Sequence, residues 1–97
     1  MENQHRKISG YRELNQTEID LMNKIKALGP QIEDVIEEVR LHVINQRQHA
    51  IDTKPQDVVT LDRLTDATPE RFTALAKTDF QTALMYLTRA VAQPTFF

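Results

Sequence analysis

Histidine is the side chain best suited to move a proton near neutral pH, and the chain has three: His5, His42 and His49. His42 and His49 stand seven residues apart, which on a helix is about 10 Å, too far to share one zinc ion. Glu38 and His42 form an i, i+4 pair that could bind a metal or relay a proton, but the same pair reads first as an ordinary exposed helix contact. Two-histidine phosphodiester hydrolases need paired His-x-Thr motifs. Here His5 is followed by Arg-Lys, His42 by Val-Ile and His49 by Ala-Ile. No His-Glu-x-x-His, no glycine-rich phosphate loop and no Gly-x-Ser-x-Gly elbow occurs. The absence of cysteine removes thiolate zinc sites, cysteine nucleophiles and disulfides. These residues predict a protein that is not an enzyme and carries no metal or cofactor.

Binding chemistry is concentrated at the amino-terminal head, Gln4-His5-Arg6-Lys7-Ile8-Ser9-Gly10-Tyr11-Arg12-Glu13-Leu14. One aromatic ring lies among three cations and a histidine, beside a glycine that lets backbone approach a ligand closely. Tyrosine stacks on a base and lysine or arginine pairs with phosphate, a combination suited to a small nucleotide. Lys24 and Lys26 add charge farther along. The competing reading is a solvated tail whose tyrosine tucks against the rest of the protein. Arg89 near the end of the chain has two readings as well: a ligand cation, or the favourable charge of a helix C-terminus.

The charge balance fits a small ligand better than a polymer. Twelve lysines and arginines against 14 carboxylates leave a net charge of −2 and a pI of about 5.9. That total hides a head of net +2 over residues 1–12 beside a middle, 13–40, with seven acids and three bases. Duplex nucleic acid, which demands a broad basic face, is therefore not expected as a partner. No apolar run is long enough to span a bilayer, residues 1–14 lack the apolar stretch of a signal peptide, and the expected location is the cytosol.

Helices must position this head. Asn15 with Glu18, or Thr17 with Asp20, offers a capping box, and Ile19, Met22, Ile25 and Leu28 follow at intervals of three. Ile32, Val35, Ile36, Val39, Val43 and Ile44 continue the stripe, with Gly29-Pro30 predicting a kink or a break and restart. Thr68-Pro69 predicts a second start, with Thr68 as N-cap and Pro69 as first helical residue. Phe72, Leu75, Ala76, Phe80, Ala83, Leu84, Leu87 and Val91 share its stripe, and Pro94 ends it. One all-α domain follows, an antiparallel helical hairpin: a basic arm (1–14), a kinked helical arm (15–50), a loop (51–68) holding at most one short turn, and a long helix (69–93). A hairpin has a seam but no enclosed core. Met85, Tyr86, Ala90, Phe96 and Phe97 are left over, which predicts a homo-oligomer.

The blocks Gln4 to Leu14, Met22-Asn23-Lys24-Ile25-Lys26 and Arg89-Ala90-Val91-Ala92-Gln93-Pro94 resemble a phage family of small helical-hairpin proteins. These are anti-CBASS sponges, which sequester the cyclic oligonucleotide messengers of a bacterial immune system. The similarity covers residues 4–40 and 69–95 and leaves 46–68 unmatched. It implies a homohexamer in the host bacterial cytoplasm that binds cyclic dinucleotides such as 3',3'-cGAMP between protomers and releases them uncleaved. Tyr11 matches the family tyrosine that stacks on a purine, and Lys26 the lysine that pairs with a ligand phosphate. The family also has a separate site for cyclic trinucleotides at a three-fold junction, for which Arg12, Arg71 and Arg89 are the candidate cations, at the site or at the interface. Phe72 stands where the family has tryptophan and Ala83 where it has glycine. A reading from another class is a protein-interaction hairpin that inhibits a host protein or acts as an assembly factor, using Met85, Tyr86, Phe96 and Phe97 as its contact.

Overall fold

The computed structural model describes residues 12–96. They form three helices, α1 (Gln16–Asp52), α2 (Val58–Ala67) and α3 (Pro69–Ala92), with no strand among the described residues.

Of the two capping boxes the sequence offered, Asn15 with Glu18 forms. The Glu18 backbone N–H donates to Asn15 Oδ1 at 2.9 Å, and the Asn15 N–H donates to Glu18 Oε1 at 2.9 Å. Each end of the motif thereby satisfies a donor that an isolated helix start leaves unpaired. Asp20, the other candidate, accepts from Gln16 Nε2 at 2.8 Å instead.

Of the kink or the break with restart expected at Gly29-Pro30, the break does not occur: α1 runs on through Pro30 to Asp52. Proline forfeits one ladder bond, the one its missing N–H would make to the Lys26 carbonyl. In a helix of 37 residues that single loss is outweighed by the bonds on either side and by the apolar contacts of the stripe. Gly29 is not dictated by space: a Cβ there would meet Leu84 Cδ1 at 3.9 Å, an ordinary contact.

The expected loop at 51–68 is corrected by α2. Asp57 caps it, its carboxylate accepting from the Thr60 N–H at 3.1 Å and the Thr60 hydroxyl at 2.7 Å. Val58, Leu61 and Leu64 then recur at intervals of three. The stretch is short and rich in Thr and Asp, so its propensity is low, and helix formation depends on burying Leu64, which is 5% exposed.

Thr68 alone connects α2 to α3. Its N–H donates to the Leu64 carbonyl at 3.1 Å, closing α2, while its own carbonyl accepts from the Arg71 N–H at 3.1 Å, opening α3. Serving both ends places Thr68 at φ 46°, a left-handed conformation rather than the extended one of an ordinary N-cap. A side chain with a Cβ adopts that conformation at a cost of about 1–2 kcal/mol. Pro69 begins α3 as expected. At its far end Gln93 takes φ 55° and donates its N–H to the Arg89 carbonyl at 2.7 Å, immediately before Pro94.

The chain divides into two compact units, one running up to Pro30 and resuming at Gln81, the other Gln31–Phe80. In the second unit α1 meets α3 through an ion pair between Arg47 and Glu70. Val43, Ala50 and Leu64, the buried apolar residues among those described, all belong to this unit. Val43 and Ala50 lie two turns apart on one face of α1, and Leu64 comes from α2. In the first unit the described residues are at most half-buried, and Met85 and Tyr86 are each 69% exposed.

Two stability outcomes follow. Leu64→Ala should cost about 2–5 kcal/mol, the range for emptying a buried leucine site. Pro30→Ala should raise the thermal midpoint, since a proline inside a helix costs on the order of 3 kcal/mol. Circular-dichroism melts check both, and an unchanged midpoint for Leu64→Ala would show that α2 does not anchor its unit.

Candidate ligand-binding site

Lys26 projects from α1 in the first unit and is exposed. It has no hydrogen bond or ion pair with another described residue. Tyr11, its expected partner, lies outside the described residues, as do His5, Arg6, Lys7, Gly10 and Phe97.

Arg12 is the first described residue, and its guanidinium is engaged on two sides. Nε donates to the Ala92 carbonyl at 3.2 Å and Nη2 to the Val91 carbonyl at 2.8 Å. Nη1 donates to Glu18 Oε1 at 3.1 Å, and Nη2 also bonds Glu18 Oε2. Arginine's planar fork suits such two-point pairing with a carboxylate, and its charge suits the negative end of α3. Arg12, one of the candidate second-site cations, is therefore occupied within its own chain. Its charge adds to that of Arg89, which lies in the last turn of α3 as its helix C-terminal reading expects. Arg89 also donates from Nη2 to the Phe96 carbonyl at 3.2 Å.

Arg71 sits in the first turn of α3, in the other unit, with its guanidinium carbon 4.8 Å from the centre of the Phe72 ring. That distance permits a cation–π contact. Arg12 thus bonds the last carbonyls of α3 and Arg89 lies in its last turn, whereas Arg71 lies in its first turn. The Phe72 ring thus carries its own neighbour's guanidinium over one face. Glu38 and His42 are both exposed on α1, and no three His, Cys, Asp or Glu side chains converge as metal ligands among the described residues.

Glu18 is the residue whose wider role the sequence reading missed. Its spacing from Asn15 announced a capping box, but nothing in the sequence shows that Arg12 joins the same carboxylate. The Arg12 hydrogen bonds, and then the Asn15 N–H, hold the Glu18 carboxyl below the usual carboxylate range, and Glu18 in turn raises the Arg12 guanidinium. Comparable pairs act elsewhere. Arg40 lowers Glu37 through bonds of 2.8 and 2.5 Å, and Arg47 lowers Glu70.

A lowered folded-state pKa means that the Glu18 clasp contributes fully above the unfolded value, near 4.5, and is lost as pH falls through the folded one. An NMR titration should place the Glu18 midpoint below 4.5, with the Arg12 Nε–H signal moving at the same pH. A Glu18 midpoint at or above 4.5 contradicts the clasp.

Comparison with known proteins bears on the same surface. The family described as "Acb2/Tad1, hairpin domain" matches residues 5–92, a span that includes Tyr11, Arg12, Glu18, Lys26 and the end of α3. The chain is also 43% identical over 105 residues to "Anti-CBASS protein 2" of Pseudomonas phage JBD67, a match covering 97% of each sequence. On both counts the chain belongs to the Acb2/Tad1 hairpin family.

Proposed function

We propose that this protein counters CBASS immunity by sequestering its cyclic nucleotide messengers without cleaving them. The observation that carries the reading is the end-to-end similarity to Anti-CBASS protein 2. The preferred ligand is a cyclic dinucleotide such as 3',3'-cGAMP, held between protomers of a homohexamer in the host bacterial cytoplasm. Tyr11 stacks on a purine and Lys26 pairs with a phosphate. A two-fold ligand at an isologous interface receives that pair twice. Cyclic trinucleotides are secondary ligands, with Arg12, Arg71 and Arg89 as the candidate cations at that site or at the interface. The exposed apolar residues of α3, Met85 and Tyr86 among them, meet neighbouring copies.

Sequestration asks only for affinity and abundance, which fits a sequence with no His-Glu-x-x-His, His-x-Thr or Gly-x-Ser-x-Gly motif. Removing the messenger from water between protomers strengthens each charge-assisted hydrogen bond to its phosphates. No described helix is long and apolar enough to cross a membrane.

The test is calorimetric titration of the purified protein with a panel of cyclic nucleotides, followed by heat denaturation and chromatography of what is released. Intact ligand supports sequestration, linear product identifies a hydrolase, and no binding to any member of the panel favours the protein-interaction reading. Tyr11→Ala and Lys26→Ala each remove an interaction worth about 1–3 kcal/mol per contact, taken twice by a two-fold ligand. Affinity for 3',3'-cGAMP should fall by roughly thirtyfold or more in each while the native mass is unchanged. Unaltered affinity in both variants would sink the assignment.

A further inference from the structure

We propose that Pro30 frees the backbone carbonyl of Lys26 to accept a hydrogen bond from a ribose 2'-hydroxyl of the cyclic dinucleotide. The inference rests on the reading of Lys26 as the residue that holds a ligand phosphate, and every group it uses lies among the described residues.

The other three prolines of the chain stand where a missing N–H costs a helix nothing: Pro55 between α1 and α2, Pro69 at the first position of α3 and Pro94 beyond its end. Pro30 differs, since it lies in the interior of α1. A helical carbonyl points along the axis toward the N–H four residues on, and the carbonyl aimed at position 30 is that of Lys26. It therefore lacks its ladder donor. Such an acceptor would be costly if it were sealed from water, but Lys26 and Pro30 are both exposed and share one face of α1. The bare carbonyl thus opens on the outer surface of the helix.

The same residue carries the cation. Side chains lean toward the start of a helix while carbonyls point toward its end, so Lys26 offers a donor and an acceptor side by side. Within one turn on that face Met22, Gly29 and Pro30 add no hydrogen-bonding side chain, and Asn23 is the polar neighbour. A phosphate oxygen can only accept and has no use for a carbonyl. A ribose hydroxyl can donate, and in a 3',3'-linked ring the free 2'-hydroxyl sits on the carbon next to the one that bears the phosphate. A ligand whose phosphate is held by the ammonium therefore brings that hydroxyl to the carbonyl. Proline inside a helix lowers stability, and a replacement that stabilises the fold while weakening ligand contact is the usual trade at a binding surface.

Calorimetric titration of the full chain and of Pro30→Ala, each with 3',3'-cGAMP and with its analogue lacking both 2'-hydroxyls, tests the assignment. One net hydrogen bond corresponds to roughly two- to tenfold in Kd, and a two-fold ligand makes it twice. The parent should therefore bind the ribose form about four- to a hundredfold more tightly than the deoxy form. The alanine N–H restores the ladder bond and occupies the acceptor. Pro30→Ala should accordingly weaken the ribose form by that same factor, bind the deoxy form as the parent does, and keep the native mass. Asn23→Ala should retain the discrimination. Equal affinity of the parent for the two ligands overturns the proposal. So does discrimination that survives Pro30→Ala, since the proline would then act only through the path of the helix, and so does discrimination lost in Asn23→Ala, which would give the hydroxyl to that side chain. Lys26→Ala separates the underlying reading: if it binds the ribose form as tightly as the parent, or if the parent binds neither ligand, that reading fails and takes the carbonyl contact with it.

Discussion

Two helices laid side by side cover only one stripe of each other, and that geometric limit governs the rest of the molecule. The stripes of α1 and α3 are mostly apolar, yet very few side chains are withdrawn from water. Val43, Ala50 and Leu64 are buried because α2 folds over α1 in their unit and adds a third surface. Where only α1 and α3 meet, no described residue passes beyond half-buried. Apolar side chains such as Leu21, Leu28, Met85 and Leu87 are left facing outward. A surface of this kind is typical of chains that complete themselves against other molecules.

With so little interior, polar contacts at the helix ends carry an unusual share of the specificity. Asn15 and Glu18 open α1, Asp57 opens α2, Thr68 closes α2 and opens α3, and Arg12 closes α3 from outside the helix. Each satisfies backbone groups that a helix cannot satisfy alone. Arg12 is distinctive because one guanidinium serves the positive need of a C-terminus and the negative charge of a capping carboxylate. It ties the beginning of the described chain to its end.

The cations therefore divide by employment. Arg12, Arg40 and Arg47 are committed to carboxylates or carbonyls of their own chain, and Arg89 to a carbonyl. Lys26 is bonded to no other described residue. An anionic ligand competes poorly for a guanidinium that already has four bonds and better for an ammonium with no partner among the described residues. That difference, more than the count of basic residues, separates a structural cation from one able to recognise phosphate.

Local signals in the chain determined the all-α class, the start of α1 at the Asn15–Glu18 box, the start of α3 at Pro69 and its end before Pro94. Each of these is decided within a few residues by capping chemistry and by the loss of proline's N–H. Lys26 stands out in the sequence only through the block that contains it; its exposed place on α1 is what the structure adds. Tertiary structure alone decided what depends on contacts distant in sequence. Pro30 is carried inside α1 because packing on both sides outweighs one missing bond, and residues 58–67 are helical because Leu64 has somewhere to be buried. Arg12 became a clasp because Val91 and Ala92, some 80 residues away, end beside it. Spacing along the chain cannot report such meetings, since nothing in the identity of an arginine says which carbonyls folding will bring to it.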